Sequence, residues 1–165
     1  MPDRDMDAQL FLFSLDERRY ALHLDAVEKV LRMVEVTPLL GAADIVLGVV
    51  NLQGRVIPVI NLRKGFHLPE REPDPSDFLL VARTAERTVA LWVDAVIGLV
   101  PHAREETTLA EAMASGLDFV EAAVKTSAGI TLILDLDAFL SLEKPHDIDR
   151  ASQDLVTEEG TRRAA

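Results

Sequence analysis

The chain contains no cysteine. Disulfides, thiolate metal centres, iron–sulfur clusters and a cysteine nucleophile are therefore excluded. Basic residues are in deficit: 17 Lys and Arg face 28 Asp and Glu, a net charge of −11. Nucleic-acid affinity comes largely from neutralising phosphates, so this balance argues against a nucleic-acid partner. No apolar run reaches the ~18 residues that a membrane-spanning helix needs. The opening Met1-Pro2-Asp3-Arg4-Asp5 is polar, which argues against a secretory signal. Catalytic patterns are missing too. The histidines, His23, His67, His102 and His146, form no HxH or HExxH pair, so a metal site has no local support. There is no GxSxG elbow and no glycine-rich phosphate loop. These absences predict a protein that is not an enzyme and needs no cofactor or metal.

What is present is a core. Hydrophobic residues make up 48% of 165 and mean hydropathy is +0.14, enough apolar material for one domain or two small ones. The acid excess is concentrated at residues 1–8, 66–77 and 143–165. This pattern predicts an N-terminal tail over 1–8, a folded body over 9–142 with a connector near 66–77, and a polar C-terminal tail over 143–165. The connector carries Pro69, Pro73 and Pro75 among five charges and reads as an exposed linker with nothing to bury.

Short apolar runs rich in branched and aromatic residues predict strands. Residues 9–15 and 20–24 flank the polar turn Asp16-Glu17-Arg18-Arg19 and read as a hairpin. Val27, Val30 and Leu31 stand at helix-like spacing, and 41–47 allow one helical turn. Residues 55–62 are strand-like, but Pro58 lacks an amide hydrogen, which predicts an edge strand or a bulge there. Further strands are expected at 77–82, 88–93, 119–124 and 130–136, with a short helix or loop over 104–114 and a turn near Ser127-Ala128-Gly129.

The two halves are related. Residues 10–27 align on 79–96 without a gap, and eight of the eighteen positions are identical, among them Asp25/Asp94, Ala26/Ala95 and Val27/Val96. Val59-Ile60-Asn61-Leu62 also matches Ile133-Leu134-Asp135-Leu136. A duplicated unit is therefore expected, each copy about 60 residues and marginal alone. The copies should complete a shared core, with a groove at their junction. Asp25 and Asp94 are the best paired-carboxylate candidates, which with a histidine would suggest a small acidic hydrolase. An Asp directly after a strand is more simply a cap or turn residue. His23 aligns with Trp92 and reads as a packing or surface residue of a strand.

Gly48-Val49-Val50-Asn51-Leu52-Gln53-Gly54-Arg55-Val56-Ile57-Pro58-Val59-Ile60-Asn61-Leu62-Arg63 closely resembles the CheW-domain pattern Gly-x-x-Asn-Leu-Arg-Gly, two apolar residues, Pro, two apolar residues, Asp-Leu-Arg. Val89 to Val96 and Ile130 to Asp137 resemble later strands of the same family. The resemblance spans about residues 9–142. It implies a mainly β fold of two SH3-like five-stranded barrel lobes related by pseudo-symmetry, with a few short helices. It also implies a non-enzymatic scaffold of two-component signal transduction. Such a scaffold joins chemoreceptors to the regulatory domain of a CheA-type histidine kinase in bacterial chemotaxis. It would be cytoplasmic, recruited to receptor clusters, and a monomer that joins arrays without inserting into the membrane. Carried over by position, the groove that takes the receptor's cytoplasmic signalling tip is lined by Val27, Val30, Val93 and Val96, with Lys29, Asn51, Gln53 and Gly54 close by. Lys29 stands where the family commonly has Glu, Gln53 where it has Arg and Asn61 where it has Asp. These departures suggest a specialised paralogue, serving a particular array or a pilus or surface-motility pathway.

Overall fold

A computed structural model describes residues 9–39, 41, 43–101, 107–108, 116–126 and 129–141. The expectations for both tails, for 104–114, for His102 and His146 and for the Ser127-Ala128 turn lie outside the described residues. Eleven strands and two short helices are described: β1 (Gln9–Leu15), β2 (Arg18–His23), β3 (Val27–Arg32), β4 (Val46–Leu52), β5 (Arg55–Asn61), β6 (Phe78–Arg83), β7 (Thr88–Val93), β8 (Ala95–Pro101), β9 (Thr107–Thr108), β10 (Val120–Thr126) and β11 (Gly129–Leu134), with α1 (Leu62–Gly65) and α2 (Leu136–Ser141). One sheet runs β8-β1-β2-β11-β10-β9 and the other β3-β6-β7-β5-β4. Each is an SH3-like lobe, five principal strands around its own small core, and neither hydrogen-bond ladder closes among the described residues.

The duplication is written into the pairing. Leu10 pairs with His23 and Leu79 with Trp92, the same register 69 residues apart. Val96 pairs with Phe13, and its counterpart Val27 with Ala82, each beside a bulge. After β3 and β8 the spacing becomes 74. Gly48 pairs with Val59 and Ala122 with Ile133, and the parallel pairs Val59–Ala90 and Ile133–Ala21 correspond. The second copy thus has five more residues between β8 and β10 than the first has between β3 and β4. That stretch supplies β9, whose Thr108 pairs with Ala123 where the first copy has only the Thr37–Val49 bridge.

Sequence halves and lobes do not coincide. β1 and β2 join the strands of the second half, while β6 and β7 join those of the first. Each copy donates its hairpin to the other's sheet, and the physical reason is burial. Leu10, Leu12 and Ala21 face the core of one lobe, and Leu79, Val81, Ala90 and Trp92 that of the other. On their opposite faces, Phe11, Phe13, Leu15 and Leu22 meet Leu80, Leu91 and Val93 in one central cluster between the sheets. The four hairpin strands are therefore buried on both faces, which is why they read as unbroken apolar runs. Full burial of a large apolar side chain contributes about 1.5–3 kcal/mol, so this central layer is the main force holding the lobes together.

Several local expectations change. Leu24–Ala26 is a single 3-10 turn, and Val27 to Arg32 is a strand rather than a helix. Its alternating exposure follows a period of 2. Residues 43–45 form a turn leading into β4, which already includes 46 and 47, without a helix. β5 lies inside its sheet, between β7 and β4, and the bulge is in β4 opposite, between Val46 and Gly48. Pro58 is tolerated because Val49, its partner, spends both amide and carbonyl on Thr37, so the proline nitrogen faces β7, where pairing starts only at Val59. The connector is not merely solvated. Phe66 and Leu68 are buried, and Phe66 stacks on Phe119 with ring centroids 4.9 Å apart.

The two helices meet at the molecular pseudo-axis. Asn61 caps α1 by accepting from the Arg63 amide at 3.1 Å, and its counterpart Asp135 accepts from the Ala138 amide at 3.0 Å. Gly65 of α1 and Phe139 of α2 occupy equivalent positions, 74 residues apart, and they touch. A Cβ on Gly65 would lie 2.2 Å from the Phe139 ring.

Candidate partner-binding surface

The predicted groove residues fall into distinct settings. Val27 on β3 and Val96 on β8 are half-buried and pack against the central cluster from the two lobes. Val30, two pairs further along β3, is 37% exposed. Val93 does not line a groove: it is fully buried in the central cluster, because it ends β7 on the face turned to the other lobe. Lys29 is half-buried at the β3 bulge. Asn51, Gln53 and Gly54 form the exposed β4–β5 hairpin turn. Gln53 at φ 53° and Gly54 at φ 86° make this a two-residue turn of the type that matches strand twist. The Asn51 side chain closes it, accepting from the Gly54 amide at 2.9 Å.

One wall residue escaped the sequence reading. Leu99 on β8 is 52% exposed and pairs with Phe11 as Val30 pairs with Leu80. The signal was available, since continuing the 69-residue offset beyond Val96 assigns Leu99 to Val30. Val27 and Val30 on β3 and Val96 and Leu99 on β8 are thus two matching aliphatic walls at the rim of the inter-lobe face. The nearby charge pair is not between positions 29 and 53. Arg55 of β5 reaches Glu28 of β3 instead, at 3.3 Å within the β3-β6-β7-β5-β4 lobe.

A polar cluster lies behind the β8 wall. The Asp94 carboxylate, immediately before β8, accepts from the Asp16 amide at 2.8 Å, from Arg71 at 2.6 Å and from Arg63. Arg63 is 1% exposed and also reaches Asp16 at 3.0 Å. Its Nε and Nη1 are buried without a hydrogen-bond partner among the described residues, but its guanidinium lies 5.4 Å from the centre of the Trp92 ring, and Arg71 lies 5.3 Å from it. Trp92 donates its indole N–H to Asp77 at 2.9 Å, and Arg71 holds the same carboxylate with two bonds of 2.8 Å. Burial pushes the Asp77 carboxyl up, yet the bonds from Arg71, from the Asp74 amide and from Trp92 outweigh it, so its pKa lies below the ordinary 3.8. The bond to Asp77, with the negative charges of Asp94 and Asp77, in turn raises the pKa of Arg71.

The two candidate carboxylates stand in different settings. Asp94 is engaged by two guanidinium groups, whereas Asp25 is exposed on the 3-10 turn with no hydrogen bond or ion pair among the described residues. His23 is half-buried and meets Glu121 at 3.2 Å, a surface role in a strand. Among the described residues no group of three or more His, Cys, Asp or Glu could hold a metal ion, and no helix is long and apolar enough to cross a membrane. An open depression of about 490 Å³ lies beside α1, lined by Ile45, Lys64, Leu68 and Phe139. It does not include the wall valines.

Comparison with known proteins agrees with this arrangement. The chain is 29% identical over 142 residues to the chemotaxis protein CheW of Thermotoga maritima, covering 85% of this chain and 92% of that one. It is 30% identical over 104 residues to protein FrzA of Myxococcus xanthus, covering 59% and 65%. Among solved structures it resembles the scaffolding protein TtCheW of Thermoanaerobacter tengcongensis, with a TM-score of 0.70 and 27% identity over 78% of this chain and 84% of that one. The family model described as CheW-like domain matches residues 9–144; with two SH3-like lobes, exchanged hairpins and the Gly-x-x-Asn-Leu turn all in place, the chain belongs to the CheW-like domain family.

Proposed function

We propose that this protein is a non-enzymatic adaptor that couples chemoreceptors to a CheA-type histidine kinase in bacterial chemotaxis signalling. The observation that carries the reading is the match to the CheW-like domain over nearly the whole described body, joined to two pseudo-symmetric aliphatic walls on β3 and β8. A helical partner docks into such a surface through apolar side chains at i, i+3/i+4 and i+7. Val30 and Leu99 offer exposed aliphatic area, while Val27 and Val96 root the same walls against the central cluster. The receptor's cytoplasmic tip fits that place, and the kinase regulatory domain takes barrel surfaces outside it. The protein works in the cytoplasm as a monomer recruited to receptor arrays. Lys29 and the Gln53 turn lie beside the β3 wall and set which receptor is accepted.

Calorimetric titration tests this. The full chain should bind a receptor signalling-tip fragment and a CheA-type regulatory domain saturably. Val30→Glu and Leu99→Glu should each weaken receptor binding by tenfold or more, about 1.4 kcal/mol, with kinase binding and thermal unfolding unchanged. Binding to neither partner would overturn the proposal. A further arm replaces Gln53 with Arg: unchanged affinity for both partners would remove the turn from the recognition site.

A further inference from the structure

We infer that Asp94 is a positioning residue for the inter-lobe groove: its carboxylate fixes where the β8 wall stands relative to the β3 wall. The inference rests on the adaptor reading for its functional consequence, though not for its geometry. Asp94 is the crossover residue between lobes. It follows β7 of one sheet, precedes β8 of the other, and comes two residues before Val96. Every polar contact it makes ties it to a different segment. Its amide donates to the Ser14 carbonyl of β1 at 3.0 Å. Its carboxylate takes the Asp16 amide from the β1–β2 turn, Arg71 from the connector and Arg63 from α1. Arg63 also pairs with Asp16 at 3.0 Å, so a single buried guanidinium bridges both lobes. Asp94 is therefore held from both sheets at once, and the start of β8 is held with it.

Among the described residues the opposite crossover has no such anchor. Asp25 stands two residues before Val27 as Asp94 stands two before Val96, but its carboxylate is exposed and unengaged among the described residues. Asp137, the counterpart of Arg63, accepts from the Ala85 amide alone among the described residues, at 3.3 Å. The β8 wall is thus fixed and the β3 wall compliant. A partner entering the groove meets one rigid side and adjusts the other, so loss of the anchor costs affinity by widening the range of groove geometries that binding must narrow.

The absence of native cysteine permits a direct test. Val30→Cys and Leu99→Cys, introduced together in the full chain and spin-labelled, report the distribution of distances across the groove by pulsed electron resonance. Asp94→Asn should broaden that distribution, and Asp25→Asn should leave it unchanged. Should Asp94→Asn fail to fold, Arg71→Gln removes one partly exposed arm of the same anchor and should broaden the distribution to a smaller degree. In unlabelled protein, Asp94→Asn should raise the receptor-tip Kd roughly fivefold or more while the kinase-domain Kd stays within about twofold. An unchanged distance distribution, or an equal loss for both partners, overturns the inference. If the parent protein binds no receptor fragment, the adaptor reading fails, and the distance measurement still decides the role of Asp94.

Discussion

The two crossovers of this molecule share a backbone and differ in chemistry. Each leaves a hairpin, passes an Asp-Ala-Val corner and enters an edge strand with a bulge at the matching pair. On one side Trp92, Arg63, Arg71, Asp77 and Asp94 fill the corner with aromatic and ionic contacts. On the other the corresponding positions are His23, Asp137 and Asp25, which are exposed or half-buried. Hydrogen-bond pairing and apolar burial are thus sufficient to specify the lobe twice. Among the described residues the polar cluster occupies one copy alone, and we assign it to fixing the geometry of that corner.

The comparison can be broken from its loaded side. Arg63→Ala removes a buried cation, leaves Asp94 and Asp16 short of a partner and uncovers Trp92; it should destabilise by about 3–5 kcal/mol in denaturant unfolding. Next comes the contact at the pseudo-axis. Gly65→Ala drives a methyl into the Phe139 ring, and the expected cost is about 1–3 kcal/mol, partly relieved by Phe139→Leu in the same background.

A third substitution uses pH. The Asp77 carboxyl is held below 3.8, so its contribution is fully present above the unfolded pKa and is lost as pH falls through the folded value. The thermal stability of the parent should therefore fall as pH drops below the ordinary 3.8 of an aspartate. Asp77→Asn should begin about 1–3 kcal/mol less stable at pH 7 and show a flatter acid limb. The smallest effect belongs to the bare side: Asp137→Ala should change stability by no more than about 0.5 kcal/mol. A cost for Asp137→Ala equal to that for Arg63→Ala would erase the difference between the corners.

Much of this was legible in the residues. The gapless match of 10–27 to 79–96 carries over to the paired strands without a shift, and the continuous apolar runs mark the doubly buried hairpins. Val93 was misplaced because a groove wall and a core wall have the same composition, and only the pairing shows which face it takes. Val27 to Arg32 mimicked a helix because Val27, Val30 and Leu31 satisfy two periods over so short a segment. The connector misled because its charges hide Phe66, which completes an aromatic cluster contributed by other elements, and Asp77, whose burial depends on Arg71 and Trp92. Exchange of hairpins between the halves could not be read at all: spacing reports that a unit recurs, and long-range pairing decides whose sheet it joins.

Gly65 against Phe139 bears on ancestry and engineering alike. Two first halves brought together about the same axis would put glycine on glycine and leave a void there, and two second halves would drive phenylalanine into phenylalanine. Neither segment retains the self-complementarity that a primordial homodimer would have required. The fused gene product is committed to its mismatched ring-and-hollow pair, and expressing either segment alone should yield no orderly twin.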